Sequence, residues 1–148
     1  MNVMCKWPAA AVAAAVAALV GTPVAGADSG PQPKVEHVEN VHWSQEADGS
    51  ETVAYDAATF GSSNLEGDAK KETVWVLKVA HASFPNVPSV TVNVMGNMCD
   101  KYGACSSKPA AHWLYQRSTL NRINYDNVNR DNIWDLADGG EILANNWT

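Results

Sequence analysis

Phenylalanine is scarce in this sequence, with two residues in 148, and cysteine is nearly as rare, with three. Cationic side chains number 10 against 16 acidic ones, for a formal charge of −6 at neutral pH. No long apolar run occurs after residue 20. Each shortage excludes something. An acidic chain without a basic stripe repels phosphate backbones, so nucleic acid is not an expected partner. Anionic lipid is disfavoured for the same reason. The lack of a later apolar run leaves no expected membrane span once the leader is gone. Two familiar catalytic signatures, His-Glu-x-x-His and Gly-x-Ser-x-Gly, are missing.

What is present begins with an export pattern. Lys6 supplies a positive start, residues 9–20 form an unbroken run of 12 Ala, Val and Leu, and Gly21 and Pro23 break it. Small residues at Ala25 and Ala27 then suit a signal peptidase. The run is shorter than the roughly 20 residues a membrane helix needs. The expected organisation is a signal peptide over 1–27, a flexible leader over 28–34 and one globular domain over 35–148. The expected location is outside the cell. Cys5 leaves with the signal, and the remaining pair, Cys99 and Cys105, reads as a disulfide in an oxidising compartment. It would close a seven-residue loop worth roughly 2 kcal/mol of chain entropy.

Strand patterning dominates the mature chain. Val35, His37, Glu39, Val41 and Trp43 would share one strand face. Ala47-Asp48-Gly49 suits a three-residue hairpin loop with Gly49 left-handed, pairing Trp43 with Val53 and Val41 with Tyr55. A two-residue turn would instead set Glu46 against Glu51, where like charges repel. Residues 73–80 are apolar on both alternating sets, which predicts a strand covered on both sides. Val90, Val92 and Val94 alternate with Thr91 and Asn93, which predicts a half-exposed antiparallel partner for it. Pro109 suits the first turn of a helix reaching Ile123, with a strand over His112 to Arg117 as the other reading. The Asn-rich stretch 124–132 is expected as loop. Residues 133–136 and 141–144 read as a final hairpin. The expected fold is mainly β: a small antiparallel β-sandwich with a short helix after the disulfide loop, or else α+β.

Four constellations could carry function. The first is the loop stapled by Cys99 and Cys105, which would hold Lys101 and Tyr102 as a rigid tip; preorganised tips lose little entropy on binding. The second is tryptophan. Sugar rings stack on exposed aromatics, and Trp113, Trp134 and Trp147 are candidates, whereas Trp43 and Trp75 are expected in the core. The third is a hydrolytic His/acid site drawn from His81, His112 and Glu39. The fourth is a calcium loop. Asn127, Asn129, Asp131, Ile133, Asp135 and Asp138 stand at relative positions 1, 3, 5, 7, 9 and 12, the spacing that converges oxygens on one hard cation. Over those residues the chain resembles EF-hand and dockerin-type loops. It departs from them at Asn132, where they carry Gly, and at Asp138, where they carry a bidentate Glu.

The sequence therefore leads to a secreted, non-enzymatic binding protein for an extracellular protein or glycan, with no cofactor unless the weak calcium loop fills. A small secreted hydrolase is the rival. Convergence of His81, His112 and an acid in one cleft would favour the hydrolase; exposure of two of the three late tryptophans on one face would favour a glycan binder.

Overall fold

A computed structural model describes residues 31–57 and 65–143. The expected signal peptide and Trp147 lie outside the described residues. The chain is mainly strand. Its elements are β1 (Glu39–Gln45), β2 (Glu51–Asp56), α1 (Leu65–Ser83), β3 (Ser89–Cys99), β4 (Cys105–Gln116), α2 (Arg117–Leu120), a 3-10 turn (Arg130–Asn132) and β5 (Gly139–Ile142). They build one five-stranded sheet in the order β1-β2-β3-β4-β5. All neighbours are antiparallel except β2 and β3, which run parallel. Among the described residues the layer over this sheet is helix α1, not a second sheet. No helix among them is long and apolar enough to cross a membrane.

The first hairpin forms as its sequence dictates. Trp43 pairs with Val53, and Gly49 takes φ 84°. Glu46 N–H donates to Ser50 O at 2.8 Å, and Gly49 N–H donates to Glu46 O at 3.0 Å. That closes a three-residue loop over Ala47, Asp48 and Gly49. The register slips between Glu39 and His42, so the expected Val41–Tyr55 pair falls in an irregularity. His37 and Asn40, at φ 65° and 52°, break the longer strand expected from residue 35. Gln32, within the expected flexible leader, is tied down. Its side-chain amide accepts from Trp43 N–H at 3.1 Å and donates to Trp43 O at 3.0 Å.

The expected central strand over residues 73–80 is a correction: it is part of helix α1. The physical reason emerges over a wider window. Ala69, Thr73, Val76, Leu77 and Ala80 are fully buried, a spacing of three and four. Good helix formers, among them Ala69, Lys70, Lys71, Leu77, Lys78 and Ala80, outweigh the β-branched valines. Glu66 and Asp68 lie in the first turn and His81 in the last, which complements the helix dipole. Lys70 reaches Glu66 one turn away at 2.7 Å.

β3 alternates as expected: Val90, Val92 and Val94 are fully buried. Its neighbours are β2 and β4, not residues 73–80. The expected helix from Pro109 is likewise overturned, because Cys105–Gln116 is strand β4. Ala111, Trp113 and Tyr115 stand opposite Val94, Val92 and Val90 and follow the same alternation. Pro109 sits at a register irregularity beside Ala110, where a missing N–H costs the ladder little. A short helix does follow the disulfide loop, at Arg117–Leu120. Arg117 anchors that corner. Its backbone N–H donates to Pro88 O at 2.8 Å, and its guanidinium donates to Val87 O and Phe84 O.

The expected last hairpin does not form. Residues 133–136 are turn, and β5 pairs with β4 instead. Ile133 and Trp134 are buried. Tyr115 hydroxyl donates to Ile133 O at 2.9 Å, fixing this turn against the sheet.

Candidate functional site

The β3–β4 ribbon outgrows its sheet. β2 accompanies β3 only as far as Met95, and β5 accompanies β4 only over Ala111–Leu114. Beyond that, Gly96 pairs with Lys108 and successive pairs run to Cys99 with Cys105, with no third strand among the described residues. At about 3.3 Å per residue the arm extends roughly 10 Å past the body. The disulfide joins Cys99 to Cys105 as its final ladder pair.

The tip repeats the hydrogen bonding of the first hairpin. Asp100 N–H donates to Ala104 O at 2.9 Å, Gly103 N–H donates to Asp100 O at 3.0 Å, and Gly103 takes φ 82°. Asp100 then braces the loop from inside. Its Oδ1 accepts from Tyr102 N–H at 2.8 Å and from Ala104 N–H at 3.0 Å. The side chain that this frame presents is Tyr102, 82% exposed. Lys101 Nζ lies 4.9 Å from the Tyr102 ring centroid, a cation–π approach. Lys101 and Tyr102 are thus together and exposed, on a loop closed by the disulfide. Asp100 is the organising residue that sequence reading passed over; an Asp three positions before a Gly is a turn signal and could have revealed it.

The tryptophan pair is also brought together, but inward. Trp113 and Trp134 stack with centroids 5.3 Å apart and planes at 27°. Trp134 is 4% exposed and donates its indole N–H to Thr73 Oγ1 at 3.1 Å. Lys70 Nζ covers its ring at 5.2 Å. Trp113 packs on Gly140, where an added Cβ would lie 2.8 Å from its Cα and its ring. A sugar cannot stack on Trp134 so placed. Trp75, expected in the core, is only half-buried on α1, with His37 and Lys71 on its ring at 5.5 and 4.9 Å.

The hydrolytic set is dispersed. His81 closes α1 and contacts Asn121 Oδ1 at 3.2 Å, with Tyr125 beside its ring. His112 lies on β4 opposite Asn93 and Glu141. It alternates with Trp113 and so faces away from the helix-covered side. Glu39 is on β1, three strands from β4, roughly 14 Å across the sheet. Glu39 instead rims a cleft of about 600 Å3 between residues 34–39 and α1, with His37, Lys71, Glu72 and Trp75.

The calcium positions serve the backbone. Asn129 Oδ1 accepts from Asp131 N–H at 3.1 Å, and Asp131 lies 3.8 Å from Arg130 Nε. Asp138 accepts from Gln116 N–H at 2.7 Å and from Thr119 Oγ1 at 3.0 Å. Among the described residues no three His, Cys, Asp or Glu gather as a metal site. Asn127 donates its backbone N–H to Asn124 O at 3.1 Å, and Asp135 is exposed.

No protein-family model, curated protein or solved structure matches this chain.

Proposed function

We propose that this chain is an exported binding module that engages an extracellular protein or glycan through the tip of the β3–β4 arm. The observation that carries this reading is Tyr102, 82% exposed on a loop held by a disulfide and by two bonds to Asp100. An aromatic ring so exposed contributes nothing to the fold's own core. Its loop is already ordered, so contact costs little further conformational entropy. Aromatic anchors of this kind dominate binding energy where they fill a partner's pocket.

The test uses the chain from Asp28 to Thr148, screened against arrayed glycans and purified extracellular proteins. The expected result is a ligand whose affinity falls at least about tenfold with Tyr102→Ala, the loss typical of a buried anchor. Circular dichroism and Tm should not move. A ligand bound equally well by Tyr102→Ala and Lys101→Ala would remove the tip from the reading. No ligand in either array would overturn the reading itself.

A further inference from the structure

The arm that carries Tyr102 stands outside the fold's interior. No member of the buried core cluster lies between Val94 and Ala111. Gly96, Asn97, Ser106, Ser107 and Lys108, which form much of its length, are poor strand residues. A two-stranded ribbon with no third strand is marginal in water. Cys99 and Cys105 are both exposed, so a thiol can reach the sulfurs without any unfolding.

From this we infer that the Cys99–Cys105 bond is a reducible latch, which sets the conformation of the arm's tip without holding the body of the fold. Its consequence for binding rests on the function proposed above; its structural consequence does not. The reductant is a dithiol. Its thiolate attacks one cysteine sulfur, the protein S–S bond breaks, and the released cysteine thiolate takes up a proton. The second thiol of the reductant closes on the mixed disulfide and frees the other cysteine. Two electrons and two protons pass to the protein, and the reductant leaves as a cyclic disulfide.

The size of the effect on the body follows from where the freed entropy goes. A crosslink stabilises a fold by restricting the unfolded chain. Here the reduced native arm frays as well, so both states regain freedom and the difference between them changes little. The tip responds differently, because the bond from Asp100 N–H to Ala104 O that closes it runs from one strand end to the other and survives only while the two strands stay in register.

Hydrogen exchange and thermal melting of the chain from Asp28 to Thr148, with and without millimolar dithiothreitol, test the latch directly. Expected is complete reduction without denaturant, at least about tenfold faster exchange over residues 96–109, and a fall in Tm below about 3 °C. The Cys99→Ser/Cys105→Ser variant should behave as the reduced protein and ignore the reductant. A fall in Tm above about 3 °C, or unchanged exchange in the arm after reduction, would overturn the latch. A ligand that passes the Tyr102 test should bind the reduced protein at least about tenfold more weakly. Equal binding by both forms would overturn the regulatory consequence while leaving the tip as the contact.

Discussion

Trp134 and Thr73, 61 residues apart, meet in a buried hydrogen bond of 3.1 Å. Thr73 Oγ1 also lies 3.0 Å from the Tyr55 hydroxyl and donates to Ala69 O at 2.8 Å. One hydroxyl thus joins the turn after the 3-10 segment, strand β2 and helix α1. Thr73→Val keeps the shape and removes the hydroxyl to which the Trp134 indole N–H donates and through which Tyr55 is reached. A loss of about 1–3 kcal/mol is expected, read from the urea midpoint at constant slope. An unchanged midpoint would show that the contact is incidental.

Gly140 is the residue on which β5 depends. It takes φ 130°, and a Cβ there would stand 2.1 Å from His112 O. That oxygen belongs to the backbone and cannot yield. Gly140→Ala is expected to cost more than about 1 kcal/mol and to detach β5. Exchange at the amides that cross between β4 and β5 should rise, while β2 and β3 keep their protection.

Glu51 is 4% exposed, with Glu46 nearby, and burial first and that neighbour second push its carboxyl above the ordinary 4.5. The folded state therefore holds the proton more tightly than the unfolded one. Its contribution to stability is full below the unfolded value and is lost as pH rises through the folded value. At neutral pH the ionised group opposes folding. Glu51→Gln, which cannot ionise, should therefore raise Tm at pH 7. The two proteins should converge as pH falls below about 4. A gain that persists undiminished in acid would rule out this linkage.

The side chain of Gln32 satisfies both backbone groups of Trp43 on the edge strand β1, as another strand would. Open edges invite pairing with other chains. Gln32→Ala should speed exchange at Trp43 N–H by about tenfold and raise the aggregation rate on heating, with little change in Tm. Light scattering that matches the wild type would dismiss the guard role.

The sequence made the local parts of this architecture readable. The Asp48-Gly49 turn, the Trp43–Val53 pair and the buried face of Val90, Val92 and Val94 each depend on neighbours a few residues away or on simple alternation. The disulfide was readable from the even pair of cysteines left after the expected signal peptide, and with it the shared tip of Lys101 and Tyr102. Helix α1 was not, because residues 73–80 are apolar at both alternating parities. A helix covered on several sides loses the polar stripe that would announce its period. The inward position of Trp134 was equally hidden, since only a partner far away in sequence decides it. The Asn-rich segment carries the spacing of a cation loop, yet Asp138 is engaged by Gln116 and Thr119, a contact no spacing rule contains.

The parallel pairing of β2 with β3 has a kinetic corollary. A hairpin can zip from its turn, but parallel neighbours must wait for the whole intervening helix to be laid down. The β1–β2 and β3–β4 hairpins can each start from their own turns, but β2 cannot meet β3 until the helix Leu65–Ser83 between them has been made. A nascent polypeptide extended from its N-terminus therefore carries Trp43, Val53 and Tyr55 as an uncovered greasy surface for as long as the second half is missing.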